Sequence, residues 1–275
     1  VASKYVFPAA LFLLVYVLVL FLLPSDSTVR RLSALASASA VTLGYELVHI
    51  SEALSILRGT YDGTYLHLWT RLVNPIMGAL FLFSYLICVR VLLYKRFVMI
   101  IPSAILLALM SGYVFAFGIG ILVALLYLGW SILTRAWHVA ASFGAVIGGA
   151  MLCMTPYLVV TFQSAFASDP SAGFKTGLLL THMPIVSTFL GVVILFATAG
   201  LVYELVQKKT ISLYSPQLFF FSVLIAGFFA MNQQVLTGKT VWPQHFVQYT
   251  IPLGMCALLI LYAIYIAPLL KRWAV

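Results

Sequence analysis

A chain of 275 residues that is 64% hydrophobic and 8% charged, with a mean hydropathy of +1.12, cannot cover itself with a water-compatible surface; soluble domains carry about 25% charged residues. A transmembrane β-barrel would alternate polar and apolar residues over segments of roughly ten, and that pattern is absent. The net charge of +9 comes from cations scattered at the ends of apolar runs, where they orient the chain and touch headgroups, so membrane lipids and not nucleic acid are the expected partners.

The fold class is therefore all-α, a polytopic integral membrane protein, with residues 1–275 forming one transmembrane helical domain of about eight to nine hydrophobic helices. In chain order the predicted helices cover Tyr5–Leu23, Leu32–Ile50, Leu72–Leu93, Phe97–Met110, Ile119–Leu133, Val139–Phe162, Met183–Val206, Leu213–Met231 and Tyr249–Leu270. The first has too long an apolar core for a signal peptide, and no A-x-A-like cleavage site follows it. Leu32–Ile50 is rich in Ala and Ser, which suits close helix packing or a position partly in the interface. The stretch 97–133 is uncharged and too long for one pass, and "SGYVFAFG" (Ser111–Gly118) divides it into a short helix pair, re-entrant or half-height. A start at Val1 fits two readings equally: a processed initiator, or a piece of a longer protein whose earlier helices precede it. Cys88, Cys153 and Cys256 lie inside apolar runs without metal spacing and read as small core residues.

Orientation follows from the cations. "YKR" (Tyr94–Arg96), "TRAWH" (Thr134–His138), "QKK" (Gln207–Lys209) and "KRW" (Lys271–Trp273) fall on one side, with Arg30 and Arg31. The connections 51–71, 163–182 and 232–248 are longer and poorer in cations. The positive-inside rule makes the first set cytoplasmic and the second external, which puts the N-terminus outside and the C-terminus inside.

Polar residues gather in the external connections. Glu46, His49 and Glu52 recur at three-residue spacing along one helix face, followed by Asp62, His67 and Arg71. An intramembrane carboxylate marks either function or a buried pair, and both readings stand for Glu46. His49-x-x-Glu52 reverses the Glu-x-x-His spacing of di-iron bundles, but those sites need the set repeated on other helices, so no metal site is expected. Haem ligation is a weak alternative, because His138 falls on the side opposite His49, His182 and His245. Arg71 and Asn74 begin a helix just before Pro75, where a guanidinium either snorkels to headgroups or receives a phosphate. Lys175 and His182 belong to a small-residue loop. The stretch "MNQQVLTGKTVWPQHFVQYTIP" (231–252) is the densest in amides, with Asn232, Gln233 and Gln234 in succession before Lys239 and His245. Amides offer donors and acceptors suited to hydroxyl-rich ligands, although an interfacial Trp and polar loop residues are also ordinary belt features.

The segments "RLVNPIMGALFLF", "SGYVFAFGIGILVALLYLGW", "TPYLV" and above all "NQQVLTGKTVWPQHF" resemble the C-terminal half of large bacterial multi-spanning proteins grouped with the GT-C glycosyltransferases. The likeness spans most of 70–270. It implies an inner-membrane protein that handles a polyprenyl-phosphate-linked sugar on the external face. On this reading Arg71 and Lys239 hold the phosphate, Asn232, Gln233, Gln234 and His245 line the sugar pocket, and Asp62 or Glu52 is the catalytic base. The family carries acidic catalytic residues in its first external loop, whereas no D-D, D-E or E-D pair follows the first span here. Either the catalytic half lies elsewhere or the chain is a non-catalytic relative. No cofactor is implied, and metal dependence stays open. The competing reading is a non-catalytic subunit with membrane-protein partners, supported by the lack of acidic residues deep in spans. A transporter is less favoured, since no inverted repeat stands out.

Overall fold

A computed structural model of the chain describes residues 3–23, 27–43, 54–55, 57–60, 69, 75–167, 178–241 and 244–266. Each of the nine apolar runs contains a helix: α1 (Ser3–Leu22), α2 (Ser27–Leu43), α3 (Ile76–Leu92), α4 (Arg96–Leu109), α5 (Val114–Leu133), α6 (Trp137–Ala167), α7 (Thr188–Lys208), α8 (Pro216–Met231) and α9 (Gln244–Leu261). The architecture is all-α, and six of these helical segments are long and apolar enough to cross a membrane. A single two-stranded ribbon, β1 (Leu178–Leu180) against β2 (Lys239–Val241), is the only strand pairing among the described residues.

Helix starts follow local chemistry. Ser187 and Ser215 accept from the amides of Leu190 and Leu218 and so cap α7 and α8, and Pro216 sits at the first position of α8, where its missing N–H costs nothing. The pair expected over 97–133 is present, and the break falls at a tight turn over Met110–Gly112 and at Tyr113. Its second member starts earlier than Ile119 and runs 20 residues, about 30 Å, a full crossing length. Gly118 and Gly120 both lie inside this helix, and at Gly120 other side chains press close. A Cβ on Gly120 would come within 2.6 Å of Met110 Cε.

Packing is graded from centre to rim. In Pro216–Thr237 and His245–Ile266 61% is buried, against 22% in Trp137–Val160, so α8 and α9 form the interior while α6 lies outside. The outer helices expose large apolar side chains such as Leu13, Phe97, Leu152 and Leu195, as helices facing hydrocarbon do. Small residues bring the inner helices together: Gly227 meets Thr250, Gly254 meets Phe189, and Gly200 meets the Tyr265 ring.

The two ends of the bundle differ in charge. At one end the last turns of α1, α3 and α7 meet the start of α8. There Arg90 Nη1 donates to the Tyr214 carbonyl at 2.7 Å and Nε to that of Phe21 at 3.3 Å. Lys95, Lys208 and Lys209 lie at the matching helix ends. At the other end the Tyr249 hydroxyl donates to the Pro75 carbonyl at 3.1 Å, and the loops entering α7 and leaving α8 are joined.

Candidate functional site

The end distant from Arg90 is organised by the stretch between α8 and α9. Asn232 closes α8 with its side chain: Oδ1 accepts from the Ile185 amide at 2.7 Å, while Nδ2 donates to the carbonyls of Ile185 at 3.2 Å and Phe228 at 3.1 Å. A helical turn, Gln234–Thr237, follows and ends at Gly238, whose φ of +68° favours glycine. A Cβ there would also lie 2.9 Å from His182 Nε2. The chain then reverses into β2, where Lys239 pairs with Leu180 and Thr240 with Leu179. Gln233 braces the reversal, with Nε2 donating to the Lys239 carbonyl at 2.8 Å and Oε1 accepting from Thr237 Oγ1 at 2.8 Å.

Beside this ribbon, between α5, α8 and the start of α9, lies a groove of about 370 Å³. Phe115, Phe117, Ile121, Leu122 and Phe246 make its apolar walls, and Gly118 and Ala230 keep it open. Gln233, Lys239 and Thr240 supply its polar rim. His245 stacks on Phe115, ring centroids 5.1 Å apart and planes 20° from parallel, and so stands next to the groove. Among the described residues, Thr240 Oγ1, Gln234 Oε1 and Gln248 Oε1 are buried and have no hydrogen-bond partner. Three orphaned polar atoms in one short region are an unusual concentration for a folded interior.

The structure thus brings three of the expected contacts, Gln233, Lys239 and His245, around one apolar groove. Asn232 and Gln234 do not line it. Gln234 is fully buried and its Nε2 donates to the Met183 carbonyl at 3.1 Å. These two amides hold the loop before α7 against the end of α8. Arg71, Asp62, Glu52, Glu46, His49, His67 and Lys175 lie outside the described residues, as does the Trp242-Pro243 pair. Of the carboxylates only Glu204 is described, and it sits at the opposite end of α7.

Comparison with known protein families, with curated proteins and with solved structures finds no match. What this chain does is therefore read from the groove itself.

Sequence reasoning missed the groove walls. Ala230 looks like any other residue of an apolar run, Phe115 and Gly118 belong to the expected break "SGYVFAFG" and Phe246 to the connection 232–248, and only helix packing sets the four around one space. Arg90 and Glu204 were also missed, although their charges inside the runs Leu72–Leu93 and Met183–Val206 were a visible signal. Both are buried, at 4% and 3% exposure, so acidic residues are not confined to loops.

Proposed function

We propose that this chain binds a polyprenyl-phosphate-linked sugar at the groove and works as a GT-C-like glycosyltransferase, or as part of one, in a bacterial inner membrane. One juxtaposition supports the reading: an apolar groove at a helix end with Lys239 and Gln233 on its rim and His245 beside it. An isoprenoid chain is compatible with the phenylalanine and aliphatic walls, and a lysine ammonium is a mobile point charge for phosphate. No described carboxylate opposes an anion at that rim. Arg71 as a second phosphate contact, and Asp62 or Glu52 as the base that activates an acceptor hydroxyl, belong to the same proposal.

Binding is tested by native mass spectrometry of the purified chain with a short-chain polyprenyl phosphate. Lys239→Ala is expected to weaken binding about fivefold, the scale of one exposed charge contact. Gly118→Leu is expected to block the groove, whereas Gly118→Ala should be tolerated, since a Cβ there meets Ala230 at 3.6 Å and Phe246 at 3.7 Å. Wild-type affinity in both Lys239→Ala and Gly118→Leu would rule the groove out.

A second reading, a non-catalytic binding subunit, is favoured by the use of Asn232 and Gln234 for main-chain bonds. The two readings separate in a sugar-transfer assay. The enzyme reading expects transfer that Asp62→Asn or Glu52→Gln abolishes while binding persists. The subunit reading expects binding with no transfer.

A further inference from the structure

The cation-rich end holds a second, chemically distinct cavity. It has a volume of about 460 Å³ and is lined by Arg90, Tyr94, Glu204, Lys208, Tyr214 and Gln217, among others. Arg90 is 4% exposed. Its described contacts are two main-chain carbonyls and the Tyr94 ring, 5.2 Å from the guanidinium carbon. Carbonyls and a ring face orient a cation, but they do not neutralise it. Glu204 is 3% exposed; its Oε1 accepts from Lys208 Nζ at 3.1 Å, while its Oε2 is buried without a hydrogen-bond partner among the described residues. Lys208 is mostly in solvent, 66% exposed at its side chain, and gives only partial compensation for a buried carboxylate. Arg90 and Glu204 line one cavity and form no ion pair with each other.

A ligand that satisfies both groups carries an anion and a hydrogen-bond-donating cation together. We infer that this cavity binds a phosphoethanolamine headgroup, its phosphate on Arg90 and Lys208 and its ammonium on Glu204 Oε2. The lipid, and not the free headgroup, is the source. An apolar groove of about 660 Å³, walled by Phe196, Tyr203, Leu258, Tyr262 and Tyr265, lies next to the cavity. A hydrogen bond links their walls: Gln217, which lines the cavity, donates from Nε2 to the hydroxyl of Tyr265, which lines the groove, at 3.0 Å, and that hydroxyl donates to the Gly200 carbonyl at 3.0 Å. Tyr203 and Tyr265 of the groove are also chain neighbours of Glu204 and Ile264 of the cavity, so the proposal places the acyl chain in the groove and the headgroup in the adjoining cavity. A choline headgroup keeps the charge but has no N–H for Glu204, and a glycerol headgroup has no cation, so both bind less well. Nothing in this inference depends on the groove at the other end of the molecule.

The test is lipid retention by the full chain. The protein is reconstituted in nanodiscs containing equal amounts of phosphatidylethanolamine, phosphatidylcholine and phosphatidylglycerol, then released into detergent for native mass spectrometry. Phosphatidylethanolamine is expected to be retained about tenfold over the other two, the scale of one charge-assisted hydrogen bond. Glu204→Gln should bring that preference to within about twofold. Lys208→Ala, whose folding is checked by its thermal-unfolding midpoint because it also removes the partner of Glu204, should lower retention of all phospholipids while the preference for ethanolamine remains. Equal retention of the three lipids by wild type, or an unchanged preference in Glu204→Gln, would overturn the inference. Soluble phosphoethanolamine at the lipid's concentration is expected not to displace it; displacement would overturn the assignment to a lipid.

Discussion

Asn232 uses both ends of its amide on main-chain groups, two of them the amide and carbonyl of Ile185, 47 positions earlier. In a chain this apolar those groups have little water to turn to, so truncating Asn232 leaves them buried and unpaired. Asn232→Ala is expected to destabilise the protein by about 1–3 kcal/mol, read as a lower thermal-unfolding midpoint in detergent. An unchanged midpoint would show that the loop before α7 is held by other contacts. The sequence assigns this residue to a sugar pocket, yet an amide that binds sugar and one that binds a neighbouring loop look identical in one dimension. Gln233 and Lys239 differ from it because the ribbon turns them toward the groove. The register that achieves this depends on Gly238 and on pairing with residues some 60 positions away.

Among the elements, α3 and α9 show how close contact is obtained between helices with little polarity. Gly78 lies directly beneath the Tyr249 hydroxyl, and a Cβ at that position would collide with it and come within 3.1 Å of the ring carbon that bears it. Gly78→Ala is expected to cost about 1–3 kcal/mol through overpacking. Adding Tyr249→Phe removes the colliding atom, so the double variant should be less destabilised than the sum of the two single ones. Additive losses would mean that the two helices separate without a specific clash. The helix pair after Arg96 carries a related lesson. The glycines of "SGYVFAFG" suggested a turn, but two of the three in 112–120 accept side chains from other helices, and the chain turns ahead of them at Tyr113.

At the scale of the molecule, the bundle keeps two polar regions apart. One is the amide-rich ribbon with Lys239 and His245; the other surrounds Arg90 and Glu204 near Lys208 and Lys209. Helix pairing places the ends of α1, α3 and α7 together, the grouping that the cation clusters required. The positive-inside rule expects this end to face the cytoplasm. In a chain with its cysteines replaced, Leu236→Cys should react with a membrane-impermeant maleimide in intact spheroplasts, whereas Lys209→Cys should react only after lysis. The opposite pattern would invert the orientation and move the proposed sugar site to the cytoplasmic face.

Composition and hydropathy alone determined the all-α class and, to within about five residues at their starts, the nine long helices among the described residues, because hydrocarbon forces the backbone to satisfy itself within each apolar segment. They also determined which helix ends share charge, since cations collect at the ends of spans. Which polar residues meet a cavity was decided only by tertiary structure. Inside a span the alternatives for a side chain are lipid, a neighbouring helix or a groove, and all three accept the same apolar residues. The choice rests on which helix lies alongside, and in this chain small contacts such as Gly118 with Ala230 and Gly200 with Tyr265 set that placement.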